Sequence, residues 1–157
     1  MQTENKITLR DGTIEDVPLI LDFIKELAAY EKLADQVITT EENLKEFLFG
    51  HHKFAEVIIA EFDGKPEGQA LFFHNFSTFF GKPGIYLEDL YVRPAFRGKG
   101  IGKALLKKVI DIAKERKCGR VEWVVINWNE PAINFYKSLG AIPMDEWTIF
   151  RLTEDKF

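Results

Sequence analysis

The sequence predicts one α+β domain, a central mixed but mostly antiparallel sheet flanked by helices. Three observations carry this. Two apolar runs, residues 54–62 and 69–76, flank Asp63-Gly64 and read as an antiparallel hairpin. Further along, a strand, a glycine-rich turn, a helix and another strand follow one another as a βαβ unit. The 157 residues, 46% hydrophobic and 29% charged, suit a single domain with a buried core and exclude disorder, collagen and coiled coil.

Each element has its own local reason. Residues 6–10 alternate Ile7 and Leu9 with polar neighbours and read as a strand, which Asp11-Gly12 ends. Thr13 to Asp16 is a capped helix start, and Ile14, Val17, Ile20, Leu21, Ile24, Leu27 and Ala28 keep helical spacing, so a helix is expected to about Leu33. Thr40 caps a second, short helix over 41–49, closed by Gly50. After the hairpin comes a strand over 85–92, which Pro94 keeps from extending. Ile101, Ala104, Leu105, Val109, Ile112 and Ala113 form the apolar stripe of the next helix, and Gly119 is expected to stop it. The nearly continuous apolar run 121–126 reads as a strand buried on both faces. Pro131 opens a helix running to Leu139 with Gly140 at its end, and 147–152 read as a last strand.

Charge is distributed unevenly around a net of −4. Between Asp11 and Glu46 ten acids face three lysines, and between Arg93 and Arg120 ten Lys or Arg face two acids. Either these are solvated helix faces, or the later segment holds an anion and the earlier one a cation. No apolar run approaches the ~18 residues of a membrane span, and the N-terminus lacks the basic and apolar regions of a signal peptide. Cys118 has no partner cysteine. A cytoplasmic protein is the expectation.

The segment that carries chemistry is Arg97-Gly98-Lys99-Gly100-Ile101-Gly102-Lys103, between the strand 85–92 and the next helix. Glycines let a backbone approach a ligand closely, unpaired N–H groups at a helix start attract phosphate oxygens, and an arginine fork matches phosphate geometry. A Walker A loop is excluded by length and by Ala104 after Lys103. A dinucleotide fingerprint is excluded because Lys103 stands where its third glycine belongs.

Arg97-x-x-Gly100-x-Gly102 instead resembles the coenzyme-A loop of the GNAT N-acetyltransferases. Asn127-Trp128-Asn129-Glu130-Pro131-Ala132-Ile133-Asn134-Phe135-Tyr136, followed by Gly140-Ala141, stands where that family has a strand, an Asn and a Phe-Tyr helix. With Tyr30-Glu31, Leu87-Glu88-Asp89 and Glu146-Trp147, the resemblance spans nearly the whole chain and is nearest to the spermidine/spermine and thialysine acetyltransferase branch. It implies the GNAT fold, acetyl-CoA as co-substrate and no metal. It further implies a small diamine or polyamine acceptor, with thialysine or another lysine-like amino acid as the alternative, and a homodimer.

Carried over residue by residue, the resemblance makes Glu88 the base and Tyr136 the proton donor to the leaving thiolate. Leu90, Tyr91 and Val92 would pair with the pantetheine arm, and the strand carrying them would diverge from the next one. Arg97, Gly98, Lys99, Gly100, Ile101, Gly102 and Lys103 would cradle the pyrophosphate, while Asn129, Glu130, Pro131 and Ala132, with Tyr136, fix the far end of the arm. Tyr30, Glu31, Glu88, Glu122, Trp123, Val124 and Glu146 would contact the amine, Glu146 least surely aligned because the segment after Gly140 is short. The chemistry agrees: an ammonium of pKa about 10.4 must lose a proton before it attacks, and a phenol near 10 donates a hydrogen bond to a thiolate better than a whole proton.

The remaining residues point elsewhere. His51, His52 and His74 lack metal-ligand spacing and read as surface groups, and Phe72, Phe73, Phe76, Phe79 and Phe80 suggest subunit contact. Nucleic-acid binding is disfavoured by the negative net charge, and a non-catalytic acyl-CoA-binding module by the presence of both Glu88 and Tyr136.

Overall fold

Short turns between apolar runs make neighbours in sequence neighbours in the sheet. The computed structural model describes residues 6–157; residues 1–5, on which the signal-peptide expectation falls, lie outside the described residues. Five strands stand in the order β1-β2-β3-β4-β5: β1 (Ile7–Asp11), β2 (Glu56–Phe62), β3 (Lys65–Ser77), β4 (Lys82–Val92) and β5 (Val121–Glu122). The first three pairings are antiparallel and β4–β5 is parallel. The helices are α1 (Val17–Tyr30), α2 (Glu41–Phe49), α3 (Ile101–Glu115) and α4 (Glu130–Ser138). The chain divides into two compact units, Met1–Val124 and Val125–Phe157.

In the first unit, Val17, Ile20 and Leu21 of α1 and Leu44 and Leu48 of α2 pack on Val57, Ile59 and Leu71, which share one face of β2 and β3. The alternate residues Ile58, Ala60, Ala70 and Phe72 are buried on the other face, where α3 supplies Leu105, Leu106 and Val109. Full burial of each such side chain contributes about 1.5–3 kcal/mol. Thr40 caps α2 reciprocally with Asn43, the Thr40 hydroxyl accepting from the Asn43 N–H at 3.1 Å and the Asn43 carbonyl from the Thr40 N–H at 3.0 Å.

Four expectations change. Helix α1 ends at Tyr30, because Leu33 N–H donates to the Ala28 carbonyl at 2.8 Å and Lys32 N–H to Ala29 at 3.1 Å, with Lys32 left-handed at φ 62°. That is a Schellman stop made by lysine. Lys117 (φ 59°) ends α3 the same way, before Gly119 is reached, with Cys118 N–H on the Ala113 carbonyl. The strand over 121–126 shrinks to Val121–Glu122, half-buried, because β5 lies at the end of the strand order and pairs on one side. Among the described residues 147–152 form no strand: a strand needs a ladder partner, and Trp147, Ile149, Phe150 and Leu152 stay exposed.

Phe72 is fully buried, so it belongs to the core, whereas Phe76, Phe79 and Phe80 are exposed. Imidazole Nδ1 of exposed His74 bonds the Gly84 carbonyl at 2.9 Å, so Nε2 accepts from Arg116 at 3.0 Å.

Candidate active site

The ladder between β3 and β4 slips by one residue. Leu71 pairs with Asp89 and Phe72 with Leu87, which leaves Glu88 as the extra residue of a β-bulge. Bulges re-aim side chains and recur beside active sites. On its other edge β4 pairs with β5 only at Ile85–Val121 and Tyr86–Glu122, so from Leu87 to Val92 that edge has no strand beside it among the described residues. This is the divergence the resemblance implies: along Leu90, Tyr91 and Val92 that edge of β4 has no strand beside it, and the Val92 carbonyl accepts from the Arg97 guanidinium at 3.0 Å.

Asp89, beside the bulge, was not among the sequence candidates. With Ile24, Leu27, Ala28, Glu31, Leu33, Gln36 and Val37 it lines a cavity of about 200 Å³ beneath α1. Burial pushes the Asp89 carboxyl up to about 6, and the charges of Glu88 and Glu31 add to the shift. Burial also pushes Glu31 above the usual carboxylate range. Glu88 itself is exposed. Three carboxylates that repel one another in a partly apolar site make a place where an ammonium gains more than in water. The sequence signal for Asp89 was two adjacent acids inside an apolar strand.

Tyr30 closes α1 and Glu31 follows it, so the Schellman stop at Lys32 sets their position. Glu122 forms an ion pair with Arg120 at 2.9 Å and accepts a hydrogen bond from the Asn75 amide at 3.4 Å, so its charge is already answered. Trp123 is half-buried and Val124 exposed.

The glycine loop has the backbone that only glycine adopts freely, φ 76° at Gly98 and 89° at Gly100, directly before α3 begins at Ile101. Its first N–H groups have no carbonyl a turn earlier, so they suit phosphate oxygens. Lys99 and Lys103 are exposed around it, with the Lys99 ammonium 5.5 Å from the Phe62 ring centroid. Arg97 is turned back: its Nε donates to the Val92 carbonyl at 3.0 Å, and its guanidinium lies 4.5 Å from the centre of the Tyr30 ring. Arg93, also outside the sequence candidates, is fixed by Glu26 at 3.2 Å and Glu67 at 3.5 Å, over the ring of Phe23. Its partners are distant in sequence, so no local signal marks it. These residues fit a pyrophosphate and a pantetheine arm.

In the second unit, Asn129 is buried and caps α4, its side-chain carbonyl accepting from the Ala132 N–H at 3.4 Å. Glu130 and Pro131 form the first turn, and Gly140 (φ 88°) ends the helix as expected. Tyr136 is half-buried, with its ring 5.6 Å from that of Phe135. Glu146 is exposed.

A helix start shaped for phosphate, beside a strand with a free edge, defines an acyl-CoA transferase architecture. The comparisons are more particular. Residues 21–141 match the model of the acetyltransferase (GNAT) family, and the chain belongs to that family. It is 39% identical to the pig (Sus scrofa) thialysine N-epsilon-acetyltransferase, over 92% of this chain and 91% of that one. It is 34% identical to the human spermidine/spermine N(1)-acetyltransferase-like protein 1, over 94% of this chain and 23% of that protein. A V. cholerae integron cassette protein superposes with a TM-score of 0.78 at 28% identity, covering 96% of this chain and 94% of that chain. The chain is thus an acetyltransferase that moves an acetyl group to an amine. Among the described residues no helix is long and apolar enough to cross a membrane.

Proposed function

We propose that residues 1–157 form one cytoplasmic transferase domain that acetylates a terminal amine of a small cationic aliphatic acceptor, a diamine or polyamine. The observation that carries this is the open cleft lined by Ile24, Leu27, Ala28 and Val37 together with Glu31 and Asp89. Methylenes suit the apolar wall and ammonium groups the carboxylates.

Bound acetyl-CoA supplies an activated thioester. Asp89 and Glu31 hold the acceptor ammonium, and exposed Glu88 passes its proton to water, leaving the amine lone pair free for the thioester carbonyl. The free edge of β4 binds the pantetheine arm, and the loop from Gly98 to Lys103 binds the pyrophosphate. The Tyr136 hydroxyl hydrogen-bonds the sulfur and strengthens that bond as negative charge grows there. This role rests on the Phe135-Tyr136 and Gly140-Ala141 motif. Exposed Phe76, Phe79 and Phe80 support a homodimer.

A second reading, thialysine as acceptor, is favoured by the 39% identity to enzymes of that name and by the Arg97 cation beside Tyr30, which could answer an α-carboxylate. Thiol release from acetyl-CoA, measured against spermidine, spermine, putrescine, lysine and thialysine, decides. Highest kcat/KM for a polyamine supports the first reading and for thialysine the second, while turnover of none removes both.

A further inference from the structure

The ladder that joins β5 to β4 has only the pairs Ile85–Val121 and Tyr86–Glu122, against about five to six residues in an average strand. Where it stops the two strands part, and the edge of β4 proposed to pair with the pantetheine arm begins. Side chains brace this short ladder. Glu122 Oε1 meets the Arg120 guanidinium at 2.9 Å and accepts from the Asn75 amide at 3.4 Å, and Asn75 belongs to β3, on the far side of β4. We propose that Asn75, Arg120 and Glu122 form a clamp across β4 that fixes where β4 and β5 part, so that Glu122 is a positioning residue for the coenzyme and not a contact of the acceptor amine. The inference rests on the reading of that edge as the seat of the coenzyme.

Asn75 stands opposite Gly84 in the ladder, and cross-strand pairing puts Asn75, Gly84, Tyr86 and Glu122 on one face of the sheet. The Asn75 side chain reaches Glu122 by passing over buried Gly84, where an added Cβ would overlap its side-chain oxygen. That oxygen is buried and takes no hydrogen bond among the described residues, which leaves the amide nitrogen to hold the side chain in place. Arg120 braces the other end. Its carbonyl accepts from the Ile85 N–H at 3.1 Å, so one residue supplies both a ladder bond and the cation beside Glu122. That cation also separates Glu122 from the acids of the cleft. Glu31 is raised by burial, and Asp89 by burial and neighbouring carboxylates, so an ammonium gains more from them than from a carboxylate already paired.

The test is calorimetric titration of coenzyme A together with the amine KM at saturating acetyl-CoA, urea unfolding showing that each variant is folded. Glu122→Ala is expected to bind coenzyme A about tenfold more weakly, with the KM for the preferred amine within about twofold of wild type. Glu122→Gln keeps an oxygen for both donors, so its Kd for coenzyme A should lie within about threefold of wild type. Gly84→Ala pushes Asn75 aside and should match Asn75→Ala, about threefold weaker, the double variant losing no more than either one. A Kd for Glu122→Ala within about twofold of wild type overturns the clamp, and so does an additive loss in the double variant. A raised amine KM in both Glu122→Ala and Glu122→Gln, at unchanged Kd for coenzyme A, makes Glu122 an acceptor contact and overturns it too. Turnover of no amine by wild type removes the acceptor reading alone, since coenzyme A binding still judges the clamp. Failure of wild type to bind coenzyme A removes the reading of the β4 edge and the clamp with it.

Discussion

The acidic cavity under α1 and the basic loop before α3 solve the same problem, holding charge, in opposite ways. Glu31 and Asp89 are partly withdrawn from water, and their charge is costly to keep. Arg97, Lys99 and Lys103 stay exposed, and the loop's discrimination lies in backbone, in two left-handed glycines and the N–H groups of a helix start. A small ammonium offers little shape, so selectivity for it must come from desolvated charge. A pyrophosphate offers several oxygens in fixed positions, so backbone geometry is enough.

The largest effect should come from the cavity. Asp89→Asn is expected to lower kcat/KM for the preferred amine about 100-fold, the scale of losing one charged hydrogen-bond partner, with the Kd for coenzyme A within twofold. An equal loss in coenzyme binding would erase the contrast between the two regions. In wild type, kcat/KM should fall as pH drops through about 6, where Asp89 takes up a proton, and the variant should lack that limb.

The same group affects stability with a definite sign. Its folded value of about 6 lies above the ordinary 3.8, so the stabilising neutral form is full below about 3.8 and lost as pH rises through about 6. Asp89→Asn should therefore be more stable than wild type at pH 7.5 in urea unfolding, by up to about 3 kcal/mol.

The loop responds differently. An added Cβ at Gly100 meets no atom nearer than 3.9 Å, so Gly100→Ala costs only its left-handed φ, about 1–2 kcal/mol. Relaxation of that strain should weaken coenzyme A binding about tenfold by calorimetry and leave the acid limb at about 6 unmoved. Smallest is Lys32→Gly, which relieves the left-handed C-terminal residue of α1 and should stabilise the protein by about 1 kcal/mol in urea.

Much of this was legible because it is local. Arg97-x-x-Gly100-x-Gly102, the Thr40 cap and the Gly140 stop each act within a turn of chain, and the structure has them where the sequence puts them. What escaped depends on distant partners or on exceptions to local rules. Lys32 and Lys117 end helices where the pattern looks for glycine. Asp89 becomes special only when α1 covers it, and Arg93 only when Glu26 and Glu67 arrive from two other elements. Residues 147–152 have the composition of a strand, but composition does not provide a ladder.

Cross-strand partners share a face, so Tyr91 and Asp89 lie on the side of Gln69 and Leu71, and Leu87 on the side of Phe72. Remove Glu88 and Asp89 would follow Leu87 directly, with the strict alternation of an unbroken strand and every interior side chain still pointing inward. Packing therefore makes no demand for Glu88. The sheet holds a supernumerary residue next to the point where β4 parts from β5, and the interior would be filled as well without it.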